Sequence, residues 1–260
     1  MFDVWIVSII FILGMCIGSF LNVCIYRLPV SKSIVDPPRS ICPNCNHHIP
    51  FYDNIPVLSY LWLKGRCRYC NTPISFRYPL VEFISGIAAV NVLFTSGATL
   101  EGLIYFVFIS SLIVITFIDI DHKIIPDIIT LPGIPIGLVA SFALPAVTFK
   151  ASLLGLLIGG GSLLCVAWIY TLITHKDGMG GGDIKLLGMI GTIIGWKGVI
   201  FTIFVSSMVG TCVGMIMILV KGKNMKFAIP FGPFLSVGAI SYIFFGEKIL
   251  HWYFNSLSPL

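Results

Sequence analysis

The chain has 260 residues, of which 57% are apolar and only 10% charged, against roughly 25% charged in soluble domains. With a mean hydropathy of +0.99 it cannot hide its apolar side chains in one water-soluble core, so an ordinary soluble globule is excluded and the bilayer is its solvent. The net charge of +5 then reads as a topology signal near helix ends rather than as a nucleic-acid patch, and no nucleic-acid partner is expected.

A helical crossing takes about 20 residues. Apolar runs with turn signals between them predict about eight spans, near 4–26, 80–96, 102–118, 128–145, 151–174, 184–195, 199–220 and 228–246. The fold class is an all-α polytopic membrane protein: a first span over 1–26, a polar insert over 27–79, and a seven-helix core over 80–260. Pro132 and Pro135 predict a kink or break in the fourth span. In the short sixth span, Gly188, Gly191 and Gly195 predict close packing against a neighbour. The first span lacks a basic region in front and has Arg27 behind it, so it reads as an anchor with its N-terminus outside rather than as a cleavable signal. On that layout thirteen of the sixteen Lys and Arg lie inside, among them Arg39, Lys176, Lys223 and Lys226, and three lie outside, as the positive-inside rule requires. No repeat of 20 to 50 residues stands out, and the tail from His251 reads as a short external end.

The insert contains Cys42-Pro-Asn-Cys45 and Cys67-Arg-Tyr-Cys70, separated by 21 residues, close to the spacing of four-thiolate zinc sites. Each pair turns two sulfurs toward one centre, and four complete the tetrahedron of a structural zinc with no open position. Two disulfides are the competing reading; a cytoplasmic insert disfavours them because that compartment keeps thiols reduced. His47 and His48 are expected to be exposed loop residues, and Cys16, Cys24, Cys165 and Cys212 to pack as small hydrophobes.

Aspartate near a membrane helix end demands an account. One acidic segment, from Asp119 through Asp121 to Asp127, closes the third span; another, Asp177-Gly-Met-Gly180-Gly181-Gly182-Asp183, opens the sixth. Two crossings separate them, so both face the same side. Paired carboxyl groups can activate a water, one as base and the other, protonated, polarising a carbonyl. Gly180, Gly181 and Gly182 would let backbone approach a substrate strand. The alternative is that Asp183 and Asp127 are N-caps and that Asp121 and Asp177 are solvated loop charges.

Taken together the motifs resemble the type IV prepilin peptidases, membrane aspartic proteases that are often also N-methyltransferases. The likeness rests on Gly18-Ser19-Phe20-Leu21-Asn22-Val23, Tyr26-Arg27-Leu28-Pro29, Asp53-Asn54-Ile55-Pro56, Arg77-Tyr78-Pro79-Leu80-Val81-Glu82, Ile125-Pro126-Asp127, Gly180-Gly181-Gly182-Asp183 and Ile229-Pro230-Phe231-Gly232-Pro233-Phe234. It implies that Asp119, eight residues before Asp127, and Asp183 are the catalytic pair. It implies prepilin or pseudopilin substrates cut after a glycine at the cytoplasmic side of a bacterial inner membrane. The new N-terminal residue, usually Phe, would then be methylated from S-adenosylmethionine. The cysteine-bearing insert implies both activities; a peptidase with a purely structural zinc loop is the alternative. No methyl-donor motif is recognisable, and Glu82 is the candidate for that neighbourhood. Of the other classes, a zinc metalloprotease lacks His-Glu-x-x-His, a transporter does not need the cysteine insert, and an anchored zinc-loop interaction protein does not need eight spans.

Overall fold

The structure, a computed structural model, describes residues 2–36, 40–175, 180–221 and 229–257; Arg39, Lys176, Asp177, Lys223 and Lys226 fall outside them. The chain forms two units, residues 1–118 and 119–260.

In the first unit α1 (Val4–Arg27) and α3 (Arg77–Ser96) pack along a stripe of small residues. Between helices in lipid no hydrophobic force remains to be gained, so close van der Waals approach decides pairing. Gly14 and Gly18, one turn apart on α1, permit it: a methyl group on Gly18 would stand 2.6 Å from Glu82 Cα, and one on Gly14 2.7 Å from Ala89 Cβ. Ser85 Oγ donates to the Gly14 carbonyl at 2.8 Å, and Asn22 Nδ2 to the Tyr78 carbonyl at 3.1 Å. Among its described residues the insert between these helices holds one short α-helix, α2 (Leu58–Trp62), and two 3-10 turns, Leu28–Val30 and Phe51–Asn54. After Gly97, at φ 70°, α4 (Leu100–His122) begins, and it buries Leu112, Ile115 and Ile118 completely.

The second unit opens with the last turn of α4 and continues with α5 (Asp127–Ala140), α6 (Phe149–Thr174), α7 (Gly181–Lys221) and α8 (Gly232–Leu257). Thr148 caps α6, its Oγ1 accepting the Ala151 N–H at 3.3 Å. Glycines again set the contacts. Side chains at Gly155 and Gly191 would each run into the backbone of the other, so α6 and the start of α7 meet main chain to main chain, and Ser152 Oγ reaches the Thr192 carbonyl at 2.6 Å. Gly133 and Gly137 of α5 leave room for the Met189 and Thr192 side chains of α7.

The break expected at Pro132 and Pro135 is not where the chain breaks. Helix α5 is continuous through both prolines; each removes one amide donor, and the close seat on α7 holds the remaining turns. The break falls at Gly195, whose φ of 69° and ψ of 177° lie outside the helical region. Its consequence is a reversal. Gly182 touches Ile125, Ile125 also reaches Gly232, and Ser206 Oγ donates to the Phe234 carbonyl at 3.0 Å. A straight helix would separate residues 182 and 206 by about 36 Å, yet both are neighbours of the start of α8, so the two halves of α7 run back along one another. Among the described residues five helices are long and apolar enough to cross a bilayer, with two shorter apolar ones, Asp127–Ala140 and Gly232–Gly246. With α7 divided at Gly195 these make the eight predicted segments. Helix α8 runs on to Leu257, so residues 251–257 are helical.

Replacing Gly191 by Val is expected to destabilise the chain by about 1–3 kcal/mol or more, lowering the thermal midpoint in detergent. Gly161→Val, where nothing lies within 4 Å, should leave that midpoint in place.

Candidate functional site

Helix α4 ends when Lys123 takes φ 55°, its N–H closing the last turn on the Asp119 carbonyl at 2.9 Å. That places Asp119 one turn from the helix end, only 5% exposed, while Asp121 is exposed. Burying a carboxylate demands a donor. The donor is the Gly232 N–H at the start of α8, 3.0 Å from Asp119 Oδ2. The approach requires glycine, since a methyl group there would sit 2.7 Å from the same oxygen.

Asp183 is the third residue of α7 and half-buried. It is not the N-cap, because the helix begins at Gly181 and the Asp183 N–H is already engaged by the Gly180 carbonyl at 3.2 Å. Asp119 and Asp183 are close enough for their charges to interact. The start of α7 is brought to Asp119 by Ile125, whose side chain fills the space over both Gly182 and Gly232. The N-termini of α7 and α8, each the positive end of a helix dipole, therefore both lie near this pair of carboxylates. Among the three glycines only Gly182 is packed, with Ile125 Cβ 2.9 Å from where a side chain would begin; Gly181 faces open space. Asp127 is not an N-cap either. It is the first residue of α5 and pairs with Lys185 Nζ at 2.8 Å, tying α5 to the first turn of α7.

The four cysteine sulfurs lie within 4.8 Å of one another, and Cys42 Sγ is 3.8 Å from Cys70 Sγ. A tetrahedron with zinc–sulfur bonds of about 2.3 Å has edges of about 3.8 Å, so the cluster fits a zinc ion. All eight cysteines are free thiols. The two knuckles are copies of one another. Cys42 N–H bonds His47 O as Cys67 N–H bonds Thr72 O; Asn46 and Asn71 take φ 54° and 55°; Ile49 N–H bonds Ser40 O as Ile74 N–H bonds Gly65 O. The offset throughout is 25 residues (67 − 42), inside the 20-to-50-residue range in which no repeat stands out from the sequence, because the copies share backbone hydrogen bonds more than side chains. Asn44 Nδ2 joins the copies by donating to Thr72 Oγ1 at 2.8 Å. Hydrogen bonds from the Thr72 side chain and backbone and from Asn44 draw Cys70 down to about 5. Asp53 holds Arg68 of the second knuckle, Nε to Oδ2 at 2.7 Å. The His47 ring lies tilted against Tyr69, and His47 is not part of the four-cysteine cluster.

Glu82 is 8% exposed, and its Oε2 accepts the Val57 N–H at 2.8 Å. Val57 stands at φ 61°, ψ −47°, with the Leu58 N–H on the Pro56 carbonyl at 2.6 Å, a tight turn that a β-branched residue adopts only when held there. The motif Ile229 to Phe234, to which the sequence alone attaches no chemistry, supplies Gly232. The available signal was a glycine and a proline opening a helix, where free amides favour an anion.

Comparison with known proteins now bears on this geometry. Residues 12–96 match the Bacterial Peptidase A24 N-terminal domain, and residues 106–215 match the Type IV leader peptidase family. The chain belongs to the type IV leader peptidase family. It is 36% identical to the prepilin leader peptidase/N-methyltransferase of Aeromonas hydrophila over 96% of its own length and 94% of that protein's. For the protein of the same name from Pseudomonas putida the figures are 35%, 94% and 92%, and for that from Myxococcus xanthus 40%, 82% and 64%. No solved structure matches the chain. It is an enzyme of that family, a multi-pass protein of a bacterial inner membrane.

The purified chain is expected to carry a single zinc ion and to lose it when Cys42 and Cys67 are both replaced by Ser, as measured by elemental mass spectrometry. Full metal retention in the double variant would remove the four-thiolate site.

Proposed function

We propose that the chain cleaves the leader of type IV prepilins or pseudopilins after a glycine, at the cytoplasmic face, and then N-methylates the new N-terminal residue, usually Phe, with S-adenosylmethionine as donor. The observation that carries the peptidase is the pairing of a buried Asp119 with Asp183 at two converging helix N-termini. The names of the relatives support both activities.

In this reading a water between the carboxyl groups is deprotonated by one while the other donates a hydrogen bond to the scissile carbonyl and later helps protonate the leaving amine. The Gly232 N–H holds Asp119 Oδ2 and so orients one carboxyl of the pair. Gly180 and Gly181, without side chains, leave room beside Asp183 for an extended peptide, and the glycine at the cleavage site adds none. The excess of Lys and Arg in the loops assigned to the inside supports a cytoplasmic site and insert.

The domain division we assign is a first span over 1–26, a zinc-binding insert over 27–79 and a peptidase core over 80–260. Cys42, Cys45, Cys67 and Cys70 would hold a zinc that fixes the insert without an open coordination position. S-adenosylmethionine supplies the methyl group when bound. Glu82, a carboxylate suited to a cationic donor or to the proton of the attacking amine, holds the Val57 turn of the insert in place, and we assign it to the methyl-transfer part of the enzyme.

Asp119→Asn and Asp183→Asn are each expected to lower cleavage of a purified prepilin by at least about 10²-fold with helical content unchanged by circular dichroism; normal cleavage by both ends the two-aspartate mechanism. Gly232→Ala, which crowds Asp119 Oδ2, should reduce kcat by up to about 10²-fold. Weighing the product's N-terminus after incubation with and without S-adenosylmethionine reads both activities together. Cleavage without a methyl increment leaves a peptidase with a structural zinc loop.

A further inference from the structure

The insert carries an apolar face that neither the metal cluster nor Glu82 uses. Leu58, Leu61 and Trp62 of α2 stand at i, i+3 and i+4, on one side of the helix, and are 64%, 65% and 84% exposed. The other side is occupied: the Tyr60 ring packs edge-on against Phe76 at 6.4 Å and covers Gly65, and its hydroxyl donates to the Ile74 carbonyl. Lys64 and Arg66, both exposed, follow at once.

The height of α2 is set by α3. Its 20 residues reach about 30 Å, the thickness of the hydrocarbon with nothing to spare, so Arg77 lies at the hydrocarbon edge. Phe76 immediately precedes it, and Tyr60 stands on Phe76. Helix α2 is thus held one ring contact from the boundary, at the level of the lipid headgroups. Leucines and a tryptophan beside basic residues at that level are the composition of a segment lying in the membrane interface. An isolated apolar face of this kind in water is unfavourable.

We propose that α2 docks on the anionic phospholipid headgroups of the leaflet from which the insert emerges. Leu58, Leu61 and Trp62 enter the headgroup and upper acyl region, and Lys64 and Arg66 meet lipid phosphates. Together with the two tethers at Arg27 and Arg77, this third attachment fixes the tilt of the insert on the membrane.

The test uses the full chain in vesicles of phosphatidylglycerol and phosphatidylethanolamine, with and without lipid brominated near the headgroup end of its acyl chains. The emission difference between the wild type and Trp62→Phe isolates Trp62; unchanged zinc content and prepilin cleavage in the variant verify its fold. The expected result is loss of the Trp62 component with brominated lipid and no quenching by aqueous iodide. In a Leu58→Ser, Leu61→Ser background, iodide quenching should appear. Trp62 quenched by iodide and indifferent to brominated lipid would overturn the proposal. So would protection from iodide that arises only when a prepilin is added, since the face would then serve a peptide.

Discussion

A carboxylate buried at the end of an apolar helix needs a donor, and in the second unit that donor is the first amide of α8. The bond from Gly232 to Asp119 constrains more than the two residues. For α8 to begin beside the end of α4, the chain between them must return to the level at which it left. Helices α5 and α6 make one excursion, and the reversal of α7 at Gly195 makes the other. The Asp119 bond to Gly232 and the Ile125 contact with Gly232 therefore both depend on one backbone conformation at Gly195. Only glycine adopts that φ and ψ without strain.

Much of this architecture is legible in the amino-acid pattern, for physical reasons. In lipid every spanning segment must satisfy its own backbone, so apolar runs and helices coincide, and the eight segments emerge from hydropathy and turn residues. Close-packing glycines can be read for the same reason: Gly188 and Gly191 face Leu156 and Gly155 as expected. Less legible is which helix breaker breaks. Pro132 and Pro135 are the stronger breakers by propensity, yet α5 continues through them and the chain turns at Gly195, because a proline removes one bond whereas the positive φ of a glycine redirects the backbone.

The candidate site divides along a similar line. Cys-x-x-Cys spacing is local, so the metal cluster can be found without knowing the fold, although the 25-residue repetition that makes its halves equivalent lies in hydrogen bonds more than in side chains. Asp119 and Asp183 are 64 residues apart (183 − 119); parity of crossings places them on one side, and resemblance selects them from the other acids. What remains hidden is the backbone donor. Gly232 contributes an N–H and no side chain, and an amide carries no residue-type signature. Capping suggests Asp127 and Asp183 as N-caps, but capping is a local rule. Asp127 is drawn instead to Lys185 across 58 residues, and Asp183 stands inside the first turn of α7.

The lengths of the helices around the acids bear on how water reaches them. Helix α5 has 14 residues, and the first half of α7, from 181 to 194, is equally short; each spans about 21 Å, less than the roughly 30 Å of hydrocarbon. The Asp127–Lys185 ion pair joins these two short helices at their N-terminal ends and is exposed on both sides. Two charges at that level need water or headgroups around them. Asp183 lies only two residues before Lys185 along α7, so the carboxyl pair sits within a helical turn of hydrated charge rather than deep in hydrocarbon. The hydrolytic role proposed for these acids requires this placement: water has a short path to them, while the buried side of Asp119 keeps one carboxylate in an environment where its hydrogen bond to Gly232 counts for more than it would in bulk solvent.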